Sequence, residues 1–115
     1  MRVKRLFDFE SAHVLPNHPG KCRNLHGHSY RLAVTVDREV DPTSGLAVDF
    51  ADLKTIVERE VVDLLDHRYL NDLIENPSAE NMTVWMWRRL QPALPGLVEI
   101  ELWETRRCAV VYRGE

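Results

Sequence analysis

Residues 22–28, CRNLHGH, bring together a thiol and two imidazoles, side chains that proteins use to bind metals and to move protons. Successive side chains of an extended chain point to opposite sides, so His26 and His28 can face one point. His13 ends the first predicted strand, and a hairpin with the next strand would place it beside His28. Three imidazoles can bind zinc and leave its fourth position open, as in catalytic zinc sites. The alternative is a loop with solvated histidines, which is how we interpret His18.

Cys22 has two interpretations. It could be a fourth ligand that closes the metal site, or a thiolate that takes a proton from a bound substrate as a general base. Asp66 and His67 form a further acid–base pair at the predicted end of a helix, where the helix dipole favours a protonated histidine. Taken alone, His67 is also explained as an ordinary residue at a helix C-terminus, and Glu104 carries no signal of its own.

The elements that must position these residues follow from the hydrophobic pattern. Alternation predicts strands over 2–14 and 28–38. A stripe at helical spacing after Asp49 predicts a helix that ends near residues 66–67, and a second helix runs from the Ser78 cap to Gln91 before Pro92. The stripe of the first helix comprises Leu53, Val57, Val61, Leu64 and Leu65, and that of the second comprises Met82, Trp85, Met86 and Leu90. Strands are again predicted over 98–103 and 108–112.

The order strand, strand, helix, helix, strand, strand predicts an α+β fold. We expect an antiparallel four-stranded sheet with both helices on one face. The other face then requires water or a partner. Trp85 and Trp87 cannot both face one core at a spacing of two on a helix, so one of them is expected at a subunit contact or partly exposed.

The composition limits the class of protein. The chain has 115 residues, 44% hydrophobic and 29% charged, which fits one soluble globular domain over residues 1–115. A net charge of −3 argues against a nucleic-acid binder. No stretch has the length of a signal peptide or approaches the roughly 20 apolar residues of a membrane span, so we expect a cytoplasmic protein without a membrane partner. Cys108, in the apolar run CAVVY, is expected to be a buried hydrophobic residue.

Segments from nearly the whole chain carry a family resemblance: FESAHVL, CRNLHGHSYRL, GLAVDFADLK, LLDHRYLND, NPSAEN and LWETRRCAVVYRG. The chain resembles the 6-pyruvoyl-tetrahydropterin synthase family, and within it the short bacterial 6-carboxy-tetrahydropterin synthases. The resemblance implies Zn²⁺ on His13, His26 and His28. It also implies that Cys22 is the proton acceptor. The charge-relay group would comprise His67, Asp66 and Glu104, with Glu104 also holding the pterin ring.

The NPSAEN segment extends the expected pterin site. By the same resemblance Ser78 and Glu80 would bind the substrate, although Ser78 stands where threonine is expected and could simply cap the helix. The fold implied is the tunnelling fold, which assembles as an oligomeric barrel. We expect a hexamer made of two trimers, with active sites between subunits.

The implied activity is that of a zinc-dependent 6-carboxy-5,6,7,8-tetrahydropterin synthase. It would convert 7,8-dihydroneopterin triphosphate to 6-carboxy-tetrahydropterin, acetaldehyde and triphosphate, on the 7-deazaguanine route to queuosine. One alternative is a 6-pyruvoyl-tetrahydropterin synthase, and another is a zinc-binding module without catalysis. Lys21 and Arg23 flank Cys22 and are candidates for the triphosphate, although solvated loop charges are the simpler interpretation.

Overall fold

Two long strands provide the frame of the molecule. In the computed structural model, which describes all residues Met1–Glu115, β1 (Arg2–His13) pairs along its whole length with the antiparallel β2 (His26–Asp37). The remaining elements are α1 (Phe50–Val57), α2 (Asp63–Leu65), β3 (Arg68–Tyr69), α3 (Ala79–Leu90), β4 (Leu97–Trp103) and β5 (Ala109–Tyr112). The predicted α+β fold is therefore confirmed. No helix combines the length and the apolar character needed to cross a membrane.

The sheet differs from the prediction in one strand. Its order is β3-β1-β2-β4-β5, and β3 runs parallel to β1 whereas the other neighbours are antiparallel. The expected sheet of four antiparallel strands is thus wrong. A strand of two exposed residues is too short to show any hydrophobic period, so it cannot be predicted from the sequence pattern.

The first helix is interrupted by a wider turn. Asp49 caps α1 as predicted, accepting a hydrogen bond from the Ala51 amide at 2.7 Å. A π-helical segment, Glu58–Val62, then joins α1 to α2. The extra residue in this turn shifts the helical phase, so Val62 becomes buried and Leu64, predicted in the apolar stripe, is only half-buried. Arg89 from α3 donates to the Glu60 carbonyl in this segment at 2.7 Å.

The tryptophans of α3 are both half-buried. Arg89 lies over the Trp85 ring at 5.2 Å from its centroid, and Trp87 packs edge-on against Tyr112 at 5.5 Å. Both rings lie beside the core rather than inside it. Partial exposure therefore applies to both residues, including Trp85, which the helical spacing predicts on the apolar face.

The core lies between the helices and one face of the sheet. From the sheet it includes Phe7, Phe9, Tyr30, Leu32, Val34, Ile100 and Leu102, and from the helices Leu53, Val57, Val61, Leu65, Met82, Met86 and Leu90. The prediction for Cys108 is wrong, because this residue is exposed beside the edge strand β5. An apolar run on an edge strand is covered from fewer sides than the same run in a central strand.

Candidate active site

Three histidines converge where β1 ends and β2 begins. His13 and His26 are directly paired across the two strands, and His28 follows two residues later on the same side. The Nε2 atoms of His13 and His26 lie 2.9 Å apart. Ring centroids are separated by 4.5 to 5.1 Å, and one nitrogen from each ring lies within 4.8 Å of the others. The three residues can hold a metal ion.

Backbone carbonyls fix two of the rings in the form that binds metal. His13 Nδ1 donates to the Pro77 carbonyl at 2.8 Å, and His26 Nδ1 donates to the Asn24 carbonyl at 2.7 Å. A carbonyl can only accept, so both protons are on Nδ1 and both Nε2 lone pairs are free. His28 Nε2 is buried without any hydrogen-bond partner. An unpartnered buried nitrogen beside two free lone pairs fits zinc, which favours imidazole ligands.

Burial also favours the neutral form of His13 and His28. Desolvation lowers the pKa of His13 and of His28 below the ordinary histidine value, because it penalises the imidazolium. At His13 the hydrogen bond to Pro77 and the charge of Glu104 oppose this effect without cancelling it. The neutral ring is the form that coordinates a metal, so burial favours the metal-binding form of His13 and His28.

Glu104 lies beside the three histidines. Its Oε1 is 3.5 Å from His28 Nε2 and 3.6 Å from His13 Nε2, and its side chain is 28% exposed. The residue follows β4 on the side of Leu102, which is the core side of the sheet. Glu104 nevertheless does not join the three histidines as a fourth candidate ligand. Its carboxylate is placed to contact whatever the cluster binds.

Cys22 is held in a short 3₁₀ turn, Lys21–Arg23, that precedes the histidines. The Leu15 amide donates to the Cys22 carbonyl at 2.8 Å and closes this loop. The thiol is half-buried and is not part of the candidate metal cluster. This placement disfavours the interpretation of Cys22 as a metal ligand. Lys21 and Arg23 are exposed and form no ion pair.

Asp66 and His67 form a fixed pair at the other edge of β1. Asp66 Oδ1 accepts from the Glu10 amide at 2.9 Å and lies 3.0 Å from His67 Nδ1. The Glu10 amide chiefly, and then His67, holds the pKa of Asp66 below its ordinary value. His67 has a φ of 56° and an imidazole that is 78% exposed. The pair thus presents an oriented imidazole to solvent, where a bound molecule could reach it.

The Asp66–His67 pair is not joined to the other predicted catalytic residues within one chain. His67 and His28 both line a cleft of about 730 Å³, together with Glu10, Ser29 and Arg68. Cys22 and Glu104 do not line that cleft. No hydrogen bond or ion pair links the pair to either residue.

The NPSAEN segment contributes through its backbone. Ser78 caps α3 by accepting from the Asn81 amide at 3.2 Å, so the cap interpretation of this residue is confirmed. Glu80 is exposed in the first turn of α3. The Pro77 carbonyl, which fixes His13, lies immediately before the cap.

Sequence reasoning missed the carbonyls of Pro77 and Asn24, because a backbone acceptor has no residue signature. It also missed Tyr30, which continues the alternation of His26 and His28.

Comparison with known proteins agrees with this geometry. The family model of 6-pyruvoyl tetrahydropterin synthase matches residues 2–115. A 6-carboxy-5,6,7,8-tetrahydropterin synthase of Synechocystis sp. is 42% identical, covering 96% of this chain and 91% of that protein. The human 6-pyruvoyl tetrahydrobiopterin synthase is 38% identical, over 84% of this chain and 72% of that protein. The solved Caenorhabditis elegans 6-pyruvoyl tetrahydropterin synthase superposes with a TM-score of 0.91 at 30% identity, covering 100% of this chain and 96% of that one. The chain belongs to the 6-pyruvoyl tetrahydropterin synthase family.

Proposed function

We propose that this protein is a zinc-dependent lyase, a 6-carboxy-5,6,7,8-tetrahydropterin synthase. It would convert 7,8-dihydroneopterin triphosphate and water to 6-carboxy-tetrahydropterin, acetaldehyde and triphosphate. The carboxylated pterin would feed the 7-deazaguanine route to queuosine. The observation that carries the proposal is the buried, unpartnered His28 Nε2 beside two oriented histidines and the Glu104 carboxylate. The matching relatives support the reaction class, and the 42% identical relative supports the carboxy branch.

The proposed roles are those that the resemblance to the family implies. His13, His26 and His28 would hold zinc, and the bound ion would act as a Lewis acid toward the oxygens of the substrate side chain. Cys22, half-buried next to the cluster in sequence, would accept a proton from that side chain as a thiolate. His67, oriented by Asp66, would return a proton.

Glu104 would recognise the pterin ring. An ionised carboxylate offers two oxygens and accepts a bidentate pair of hydrogen bonds from adjacent N–H groups. Glu104 Oε1 lies 3.5 Å from His28 Nε2, so this acceptor would lie beside the proposed metal. Ser78 and Glu80, at the start of α3, would complete the pocket around the ring.

The working form would be a homo-oligomer, a hexamer of two trimers around a barrel, with each site built from neighbouring subunits. Two observations support this. Within one chain the Asp66–His67 pair is not connected to Cys22, so a neighbouring copy would bring them together. The sheet face away from the helices exposes Leu6 by 54% and Val111 by 52%, which a partner could cover. The cytoplasm is the proposed compartment, since Cys22 remains reduced there.

Product analysis tests the proposal. The zinc-loaded protein would be incubated with 7,8-dihydroneopterin triphosphate, with a chelator-treated sample as the control, and the products identified by mass spectrometry. Formation of 6-carboxy-tetrahydropterin and acetaldehyde is expected. A 6-pyruvoyl product would keep every residue role and assign the chain to the other branch, to which the 38% identical human relative belongs. Bound zinc without any product would favour the non-catalytic module.

A further inference from the structure

Tyr30 is buried beside the site and has no role in the proposed chemistry. It follows His26 and His28 on β2 at the same spacing of two, so its side chain points to the same side of the sheet. Its ring stacks on Phe9, with centroids 4.9 Å apart and planes 11° from parallel. The residue is only 1% exposed. The Tyr30 hydroxyl is therefore shielded from solvent and lies beside the histidine cluster.

The Tyr30 hydroxyl has no acceptor for its proton. Its one hydrogen-bonding neighbour is His13 Nδ1, at 3.5 Å. That nitrogen carries a proton, because it donates to the Pro77 carbonyl at 2.8 Å, and so it has no lone pair to offer. Buried tyrosine hydroxyls normally find a partner, and an orphaned buried donor costs free energy. The Tyr30 hydroxyl is accordingly a buried donor without a hydrogen-bond acceptor.

The Glu104 carboxylate accepts no hydrogen bond, and Glu104 lies opposite Tyr30. The register of β2 and β4 pairs Arg31 with Trp103, so its continuation by one residue places Tyr30 against Glu104 on the core side. Facing residues of an antiparallel pair have Cβ atoms about 4.5–5.5 Å apart. No hydrogen bond reaches the Glu104 carboxylate, and the near Nε2 of His13 carries no proton to donate.

Tyr30 and Glu104 are not hydrogen-bonded in this structure, where the hydroxyl lies against His13 Nδ1. We infer that Tyr30 is a positioning residue for Glu104: when the partly exposed carboxylate turns toward the pterin, the Tyr30 O–H donates to one of its oxygens and holds it there. The inference rests on the proposed function for the identity of the ligand. Two carboxylate oxygens offer about four lone-pair sites, so one bond from Tyr30 leaves room for two N–H groups of the ring. The same bond stabilises the ionised carboxylate that bidentate recognition requires.

The change Tyr30→Phe removes the hydroxyl and keeps the stacked ring. The probe is 7,8-dihydroneopterin, which lacks the triphosphate, titrated into zinc-loaded protein by calorimetry. Binding is expected to weaken about tenfold, as for the loss of a hydrogen bond to a charged group, while the zinc content stays constant. Tyr112→Phe is the matched control, because Tyr112 donates to the exposed Glu115 carbonyl at 3.0 Å. It should leave binding unchanged.

A double-mutant cycle tests whether Tyr30 acts through Glu104. In a Glu104→Ala background, Tyr30→Phe is expected to have no further effect on binding, because the two groups form one unit. Equal weakening in both backgrounds would overturn the inference, since Tyr30 would then contact the ring directly. An unchanged affinity of Tyr30→Phe in the wild-type background would overturn it as well.

A ligand-free measurement separates this inference from the proposed function. The carboxyl ¹³C resonance of Glu104 in zinc-loaded protein should shift in Tyr30→Phe and stay in place in Tyr112→Phe. An unmoved resonance would rule out the Tyr30–Glu104 contact, whatever the ligand is. If the resonance shifts but wild-type protein does not bind 7,8-dihydroneopterin, the contact stands and the pterin assignment is wrong.

Discussion

His13 Nδ1 donates to the Pro77 carbonyl at 2.8 Å, and this bond ties the end of β1 to the residue before the Ser78 cap of α3. It sets the tautomer of a candidate metal ligand from a different layer of the fold. The position of α3 on the sheet thereby decides which nitrogen of His13 faces the cluster. Packing of the core and preparation of the metal site are linked through one backbone carbonyl.

The histidine cluster makes a prediction about metal content. His28→Ala removes the ligand whose Nε2 is buried without a partner, so zinc affinity should fall more than the roughly 10–100-fold that results from changing only the groups around a ligand. Competition with a chromogenic chelator measures this affinity. His18→Ala is the control, because His18 is exposed and its imidazole only accepts from the Gly20 amide. Equal zinc affinity of wild type and His28→Ala would remove His28 from the ligand set.

The thiol makes a prediction about turnover. Cys22→Ala should retain zinc and lose about 10²–10⁴-fold in kcat, the range attributed to a positioned general base. Cys108→Ala is a matched control, because this second free cysteine is exposed beside β5. Zinc content and steady-state kinetics would be measured on the same preparations. Loss of zinc from Cys22→Ala alone would identify Cys22 as a ligand after all.

The Asp66 carboxylate makes a prediction about acid stability. Its pKa is lower in the folded chain than its ordinary value of 3.8, chiefly because the Glu10 amide donates to it. The resulting stabilisation is present above pH 3.8 and is lost as the pH falls through the lower folded pKa. Asp66→Asn should therefore be less stable than wild type at pH 7, with the difference shrinking at pH 3. Urea unfolding of the metal-free protein at both values tests this.

Asp72→Asn serves as the comparison for that experiment, because Asp72 is exposed and has no ion pair. A difference between wild type and Asp66→Asn that does not change between pH 7 and pH 3 would contradict the assigned cause.

Much of the candidate site was readable from the sequence, and the reasons are local. The convergence of His13, His26 and His28 follows from alternation plus one hairpin, two features that residue type and spacing encode. The strand β3 and the π-helical segment were not readable, since both depend on how the chain closes against β1 and α3. The sequence alone also does not predict that the Asp66–His67 pair lies apart from Cys22 in the folded chain. Residue types indicated the candidate side chains of the site, whereas the distances between those side chains depend on tertiary packing.

Glu104 makes the sharpest prediction about recognition. Glu104→Gln keeps the shape of the side chain but replaces one accepting oxygen with an amide that donates. The affinity for 7,8-dihydroneopterin should fall about 10–100-fold, since charge-assisted hydrogen bonds are worth roughly 1.5–3 kcal/mol. Glu101→Gln is the control, because Glu101 faces the other side of the sheet and pairs with Lys4 at 3.9 Å. If both variants bound the pterin as well as wild type, Glu104 would have no part in holding the ring, and the 3.5 Å approach to His28 Nε2 would need another explanation.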